Sequence, residues 1–225
     1  MLKFILALLA LYITSAKVGL NTGYVAITTS AVNCFKEQNI TRVVMELLNH
    51  YGSVNSNFED SFNYLRAGQI TSIDAIVQIQ DSWDPDTLCY SFGRFLPPAF
   101  DGILWLNVEN FPGAWTKPIS QRISYLEDIA NSCYSYGYNV GVYSKVTSWT
   151  VVFGNPFAGS DILRTLPMWY YNDKGGDNFN DFIIAGFGKW SSPAMKEYKG
   201  NPTQVCEEWF NGVEYYENSF TNISI

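Results

Sequence analysis

Histidine is almost absent from this sequence: a single residue, His50, in 225. That removes most chemistry built on imidazole, because Ser–His and Cys–His nucleophiles and His-rich metal centres need the ring beside a second specific group. His50 reads instead as a loop residue after a strand. Charge is sparse, at 16% of residues, and cations are the scarcer sign, 14 Lys and Arg against 21 Asp and Glu. A net charge of −7 argues against nucleic acid as a partner. Long apolar runs are missing after the first stretch, where Met1-Leu2-Lys3, the run from Phe4 to Ile13 and the small residues Thr14-Ser15-Ala16 have the form of a secretory signal. That run is too short for a stable membrane-spanning helix, so no membrane anchor is expected. The mature chain is expected to begin at Lys17, and loss of Lys3 takes the formal charge from −7 to −8. Four cysteines, Cys34, Cys89, Cys133 and Cys206, are not spaced as a zinc site. No metal or cofactor is expected, and in an exported chain they fit two disulfides, with three connectivities open.

What is abundant is aromatic surface, 16% of the chain, and a β/α rhythm. A strand from Lys17 to Tyr24 carries Asn21 near its end, and Thr28-Thr29-Ser30 can cap a helix over Ala31 to Gln38. Strands follow at 43–48 and 73–80 and helices at 56–67 and 86–96; Gly68 closes the first of these helices and Pro97-Pro98 breaks the chain after the second. A long helix from Pro118 to Tyr136, a strand at 140–143 and a short helix at 146–153 continue the alternation. The runs 166–171, 183–187, 194–198 and 213–216 then read as strands divided by turns. About two hundred mature residues suit one domain with a sizeable core. The expected fold class is α/β, an irregular β/α barrel of TIM-like type with about five helices and eight strands. Sequons at Asn39-Ile40-Thr41 and Asn222-Ile223-Ser224 are expected at the surface.

The pivotal stretch runs from Gly102 to Asn110. Ile103, Trp105, Asn107 and Glu109 share one face of a strand, and the purely aliphatic Leu104, Leu106 and Val108 share the other. In a barrel the aliphatic face packs on helices, and the first set reaches a polar site at the strand's carboxyl end. Trp105, Phe111 and Trp115 around Glu109 would supply rings of the kind that line sugar clefts. Alternation places Tyr170 opposite Trp169 and Tyr171. Asp81 and Asp84 are expected to cap the helix that begins near Asp86.

Several stretches together resemble the Chalaropsis-type lysozymes, glycoside hydrolase family 25, and the likeness covers essentially the whole mature chain. They are Val18-Gly19-Leu20-Asn21, the segment 51–57, Leu106-Asn107-Val108-Glu109 where the family has L-D-x-E, the segment 136–144, Trp169-Tyr170-Tyr171, and Phe187-Gly188-Lys189-Trp190 leading to Lys196-Glu197-Tyr198. A chitinase-type barrel is the rival reading of Phe100-Asp101-Gly102-Ile103. It puts the aliphatic Leu104, Leu106 and Val108 where that family needs carboxylates.

The resemblance implies a muramidase that cleaves the β-1,4 bond after N-acetylmuramic acid in bacterial peptidoglycan, working as a monomer outside the cell or in a phagosomal or lysosomal lumen. Glu109 inherits the general-acid role, with Trp105 expected to raise its proton affinity. Asn107 and Asn21 stand where the family has aspartates, and Glu214 or Glu46 is expected to supply a remaining carboxylate. Trp105, Tyr143, Trp169 and Glu46 are the expected substrate-binding residues. Losing one stabilising charge costs about a hundredfold to a thousandfold, so the alternative is a non-catalytic secreted peptidoglycan or carbohydrate binder on the same barrel. On this basis restoring both aspartates is expected to raise hydrolysis, and any activity to peak at acid pH. In such a barrel the first helix neighbours the segment before the last strand and the third helix neighbours the fourth, so Cys34–Cys206 and Cys89–Cys133 are the expected disulfides.

Overall fold

The computed structural model describes residues 17–173, 176, 178–199, 203–206, 208–210 and 212–216. Seven strands run parallel in chain order: β1 (Lys17–Gly23), β2 (Ile40–Leu48), β3 (Ser72–Gln78), β4 (Ile103–Val108), β5 (Asn139–Ser144), β6 (Met168–Tyr171) and β7 (Met195–Lys199). After a small hairpin of β8 (Thr203–Val205) and β9 (Glu208–Phe210), β10 (Gly212–Tyr216) pairs antiparallel with both β7 and β1 and closes an eight-stranded barrel. The helices are α1 (Thr29–Glu37), α2 (Phe58–Ala67), α3 (Pro85–Phe92), α4 (Ile119–Ser135), α5 (Val146–Phe153) and α6 (Asn180–Ala185). Local chemistry sets their starts. Thr28 accepts from the Ala31 amide at 3.2 Å ahead of α1, and Asp84 accepts from the Thr87 amide at 2.8 Å ahead of α3, with Pro85 at the first helical position.

The expected barrel is therefore present, with six α-helices rather than five and with the β8–β9 hairpin, which the sequence did not announce, before the closing strand. The run 183–187 read as a strand, but its first half is the end of α6. A short apolar run does not distinguish strand from helix by periodicity. Packing decides it here, since Phe182 lies against the outward-facing ring of Tyr170, 4.9 Å between centroids.

Strand alternation divides the interior into two cores. Leu104, Leu106 and Val108 join Leu126 and Ile129 of α4 in the layer between sheet and helices. Val44, Ile76, Ile103, Trp105, Tyr143, Trp169 and Met195 fill the lumen. Trp105 meets Trp169 edge-on at 5.5 Å, and Gly141 makes room for it: a Cβ there would lie 2.5 Å from the indole. Below this aromatic layer the carboxylate of Asp74 takes the Arg42 guanidinium, the Ile103 amide at 3.0 Å and the Trp105 indole N–H at 3.1 Å. A buried ion pair of this kind is sustained by its hydrogen bonds.

Both expected disulfides are formed. Cys34–Cys206 ties α1 to the hairpin segment that precedes the closing strand, and Cys89–Cys133 staples α3 to α4. Asn39 is exposed; Asn222 lies outside the described residues. Among the described residues no helix is long and apolar enough to cross a membrane.

Candidate active site

A cavity of about 350 Å³ opens at the carboxyl ends of the parallel strands. Its walls come from all seven and their exits: Asn21 of β1, Glu46 of β2, Ile76 and Gln78 of β3, Asn107 and Glu109 of β4, Tyr143 and Lys145 of β5, with Tyr171 and Glu197 of β6 and β7 completing the ring. The walls are mostly polar, with Ile76 and Tyr143 of the lumen layer reaching them from below.

Three hydrogen-bonded groups stand around this cavity. On one side the Asn107 amide donates to Gln78 Oε1 at 2.8 Å and the Gln78 amide reaches Glu46 Oε1 at 3.3 Å. Among the described residues Asn107 Oδ1 has no hydrogen-bond partner, although the residue is 2% exposed. At the mouth, Lys145 Nζ lies 3.1 Å from Glu109 Oε1. On the far side the Tyr143 hydroxyl donates to Glu197 Oε2 at 3.1 Å, and the Asn21 side chain donates to the same carboxyl group. Burial pushes Glu46 up to about 7, an effect opposed by the Gln78 hydrogen bond and reinforced by the charge of Glu109. Glu197, only 4% exposed, is pushed up to about 8 by burial, against the opposing bonds from Tyr143 and Asn21.

Of the residues singled out in the sequence, Glu109, Asn107, Asn21, Glu46 and Tyr143 meet here. Trp105 and Trp169 do not. Both are fully buried in the lumen layer beneath the cavity, where their rings pack on each other and present no face to a ligand. Trp105 is also turned away from Glu109, with its N–H engaged by Asp74. Glu214 sits on β10 in register with Gly19 and Glu197, and its side chain lies outside the described residues. Glu197, Lys145 and Gln78 carried no assignment in the sequence reading. The signal for Glu197 was alternation: Met195 and Glu197 share the lumen face of β7, and Lys196 turns outward to Asp181 at 2.8 Å.

Asp81 has a different task from capping α3. It is fully buried and accepts from the Thr116 amide and hydroxyl, both at 2.8 Å, and the Lys117 amide at 2.6 Å. It thereby pins the loop that leaves β4 through Glu109, whose carbonyl is held in turn by the Trp115 indole N–H at 2.9 Å. Asp81→Ala leaves those donors without their buried acceptor. It is expected to cost roughly 2–4 kcal/mol in urea unfolding, with a clearly smaller loss for Asp84→Ala because only an exposed cap is removed. Equal losses from the two variants would contradict this division of labour.

Among the described residues no cluster of His, Cys, Asp and Glu could hold a metal ion. The chain is 27% identical over 176 residues to "Probable GH family 25 lysozyme 5" of Dictyostelium discoideum, covering 76% of this chain and 79% of that protein. It is 29% identical to "Counting factor 50" of the same organism, over 80% of this chain and 59% of the relative. Its fold superposes on a bacterial lysozyme from Streptomyces coelicolor with a TM-score of 0.74 at 11% identity, covering 92% of this chain and 94% of that one. The family model for lysozyme-like protein 1 matches residues 15–198, which span the barrel from β1 to β7 and all the cavity residues named above, and the chain belongs to that family as a divergent member of the glycoside hydrolase family 25 lysozymes.

Proposed function

We propose that this protein is an exported muramidase, hydrolysing β-1,4 glycosidic bonds of bacterial peptidoglycan. The observation that carries the reading is the convergence of three carboxyl groups, from Glu46, Glu109 and Glu197, on one cavity at the carboxyl end of the barrel. They differ in environment. Glu109 faces a cation at 3.1 Å, while burial raises the proton affinity of the other two. Glycoside hydrolysis needs that asymmetry, one carboxyl to give a proton and one carboxylate to stabilise positive charge at the sugar carbon. Two disulfides fit an exported chain working in an oxidising compartment.

The test is release of reducing ends from purified peptidoglycan. The natural chain is expected to be active and Glu109→Gln at least about a hundredfold slower, since one such charge contributes that much to the transition state. Activity is expected to fall as pH rises past about 7 to 8, where Glu46 and then Glu197 lose their protons. A natural chain that sediments with peptidoglycan yet releases no reducing ends would instead be a wall-binding protein.

A further inference from the structure

Asn21 and Glu197 form a matched pair across the closing strand. The resemblance to the lysozymes expects a carboxylate on the first strand at position 21, and an amide stands there. That amide donates to the carboxyl of Glu197, which shares the lumen face of β7 with Met195. A carboxylate at both positions would place two acids in one hydrogen bond. The carboxyl function missing from β1 is thus present in the same cavity, carried by β7.

Glu197 is also fixed in place. Tyr143 of β5 donates to its Oε2 at 3.1 Å and the Asn21 side chain of β1 bonds the same carboxyl group, so neutral groups on two separate strands hold it. Glu46, a half-buried carboxyl, is held by one side-chain bond of 3.3 Å from Gln78, an amide shared with Asn107. The charged and titratable groups acting on Glu197 are Tyr143, Tyr171, Glu109 and Lys145, and Lys145 is engaged at 3.1 Å with Glu109. No direct cation contact to Glu197 is found among the described residues. The two carboxyls thus differ in kind: Glu109 has the ammonium, and Glu197 has burial and neutral donors.

We propose that Glu197 is the second reacting carboxyl group of this site, giving its proton to the glycosidic oxygen while Glu109, ion-paired with Lys145, presents its charge to the anomeric carbon. The assignment rests on the hydrolase reading above. In the step, the bond between the anomeric carbon and the glycosidic oxygen breaks, its electron pair goes to that oxygen, and the oxygen takes the Glu197 proton. A water oxygen then bonds to the anomeric carbon, and the proton that water loses restores the Glu197 acid. One water is consumed and no other reagent is needed. Burial favours the protonated form of Glu197 at neutral pH, as the donor role requires.

The test exploits the leaving group. Peptidoglycan leaves as a sugar alcohol and needs a proton; a dinitrophenyl β-glycoside of the wall disaccharide leaves as a stable phenolate and does not. Glu197→Gln, Glu109→Gln and Glu46→Gln, each checked for native circular dichroism, would be assayed on both substrates. Glu197→Gln is expected to lose at least about a hundredfold on peptidoglycan and to stay within about fivefold of the natural chain on the aryl glycoside, as removal of a general acid predicts. Glu109→Gln is expected to lose at least about a hundredfold on peptidoglycan and at least about tenfold on the aryl glycoside. In infrared titration, the protonated-carboxyl band of the natural chain at pH 7 is expected to weaken in Glu197→Gln and persist in Glu109→Gln. If Glu109→Gln or Glu46→Gln is the variant spared on the aryl glycoside, that residue is the donor and the assignment to Glu197 is overturned. If Glu197→Gln is as active as the natural chain on peptidoglycan, it is overturned likewise. A natural chain inert on both substrates overturns the hydrolase reading itself.

Discussion

Between about pH 4.5 and 8 the natural chain is expected to lose stability as the pH rises, on the order of 3 kcal/mol or more, with Glu197→Gln removing the largest part of that slope. Burial raises Glu197 from an ordinary 4.5 to about 8 and Glu46 to about 7. In that window the folded chain holds protons that the unfolded chain has already released, so raising the pH pulls toward the unfolded state. The contribution is fully present below the unfolded value near 4.5 and is lost as pH passes the folded values. Asp84 is lowered by its hydrogen bonds, and at Asp181 burial is outweighed by the bonds from Lys196, Tyr170 and Asn172, so both act in the opposite sense, but only below about pH 4. Growing net negative charge also weakens the fold as pH rises, and the variant separates the two causes. Glu197→Gln leaves general repulsion almost unchanged while deleting the specific term. Urea midpoints at pH 5 and pH 8 give the measurement, and a natural chain as stable at pH 8 as at pH 5 would mean that neither carboxyl is held protonated by the fold.

The same picture explains why the lumen is built as it is. Asp74 and Arg42 close its lower end, the Trp105–Trp169 layer seals it, and the carboxyls stand above that seal. The indoles expected to stack on substrate instead form a dry floor. Above that floor, desolvation by burial is the largest cause of the raised values at both Glu46 and Glu197. Glu109, the residue whose proton affinity Trp105 was expected to raise, sits at the mouth against Lys145.

What the sequence disclosed depended on whether a pattern had one physical reading. Alternation from Ile103 to Glu109 left only one sorting of faces, and the two cores follow it residue by residue. Tyr170 is likewise found opposite Trp169 and Tyr171. The Thr28 cap and the barrel's strand order were legible for the same reason. A tryptophan on a lumen face is different, because a ring on a cleft wall and a ring in a packed floor satisfy the same alternation. Depth along the strand decides between them, and Trp105 lies one lumen layer below Asn107. Glu197 was hidden by its neighbour: a Lys beside a Glu looks like a solvated pair until β7 turns the two to opposite faces, Lys196 outward to Asp181 and Glu197 into the cavity. Asp81 looked like a cap because it stands just past β3, ahead of the helix expected to begin near Asp86. Its partners, Thr116 and Lys117, are about thirty-five positions away in the chain.

Restoring the two aspartates separately is expected to move activity in opposite directions. Asn107→Asp places a charge where Asn107 Oδ1 now has no donor. The change is accommodated because Gln78 can rotate its amide, donating to Asp at 107 and accepting from the protonated Glu46 that it now faces at 3.3 Å. An added charge beside the sugar carbon is expected to raise reducing-end release by roughly tenfold, a conservative share of what one such group contributes. Asn21→Asp does the reverse, because the amide there donates to Glu197 and a carboxylate cannot. Two acids would then share one proton, and a Glu197 proton tied into that bond is less available to a leaving oxygen. Hydrolysis is expected to fall at least tenfold on peptidoglycan, with the pH profile displaced upward and the aryl glycoside less affected. The double variant should therefore lie below Asn107→Asp alone, contrary to the additive gain expected from the sequence. If Asn21→Asp by itself raises turnover, position 21 still works as the family's carboxylate position, and Glu197 is a structural acid beside it.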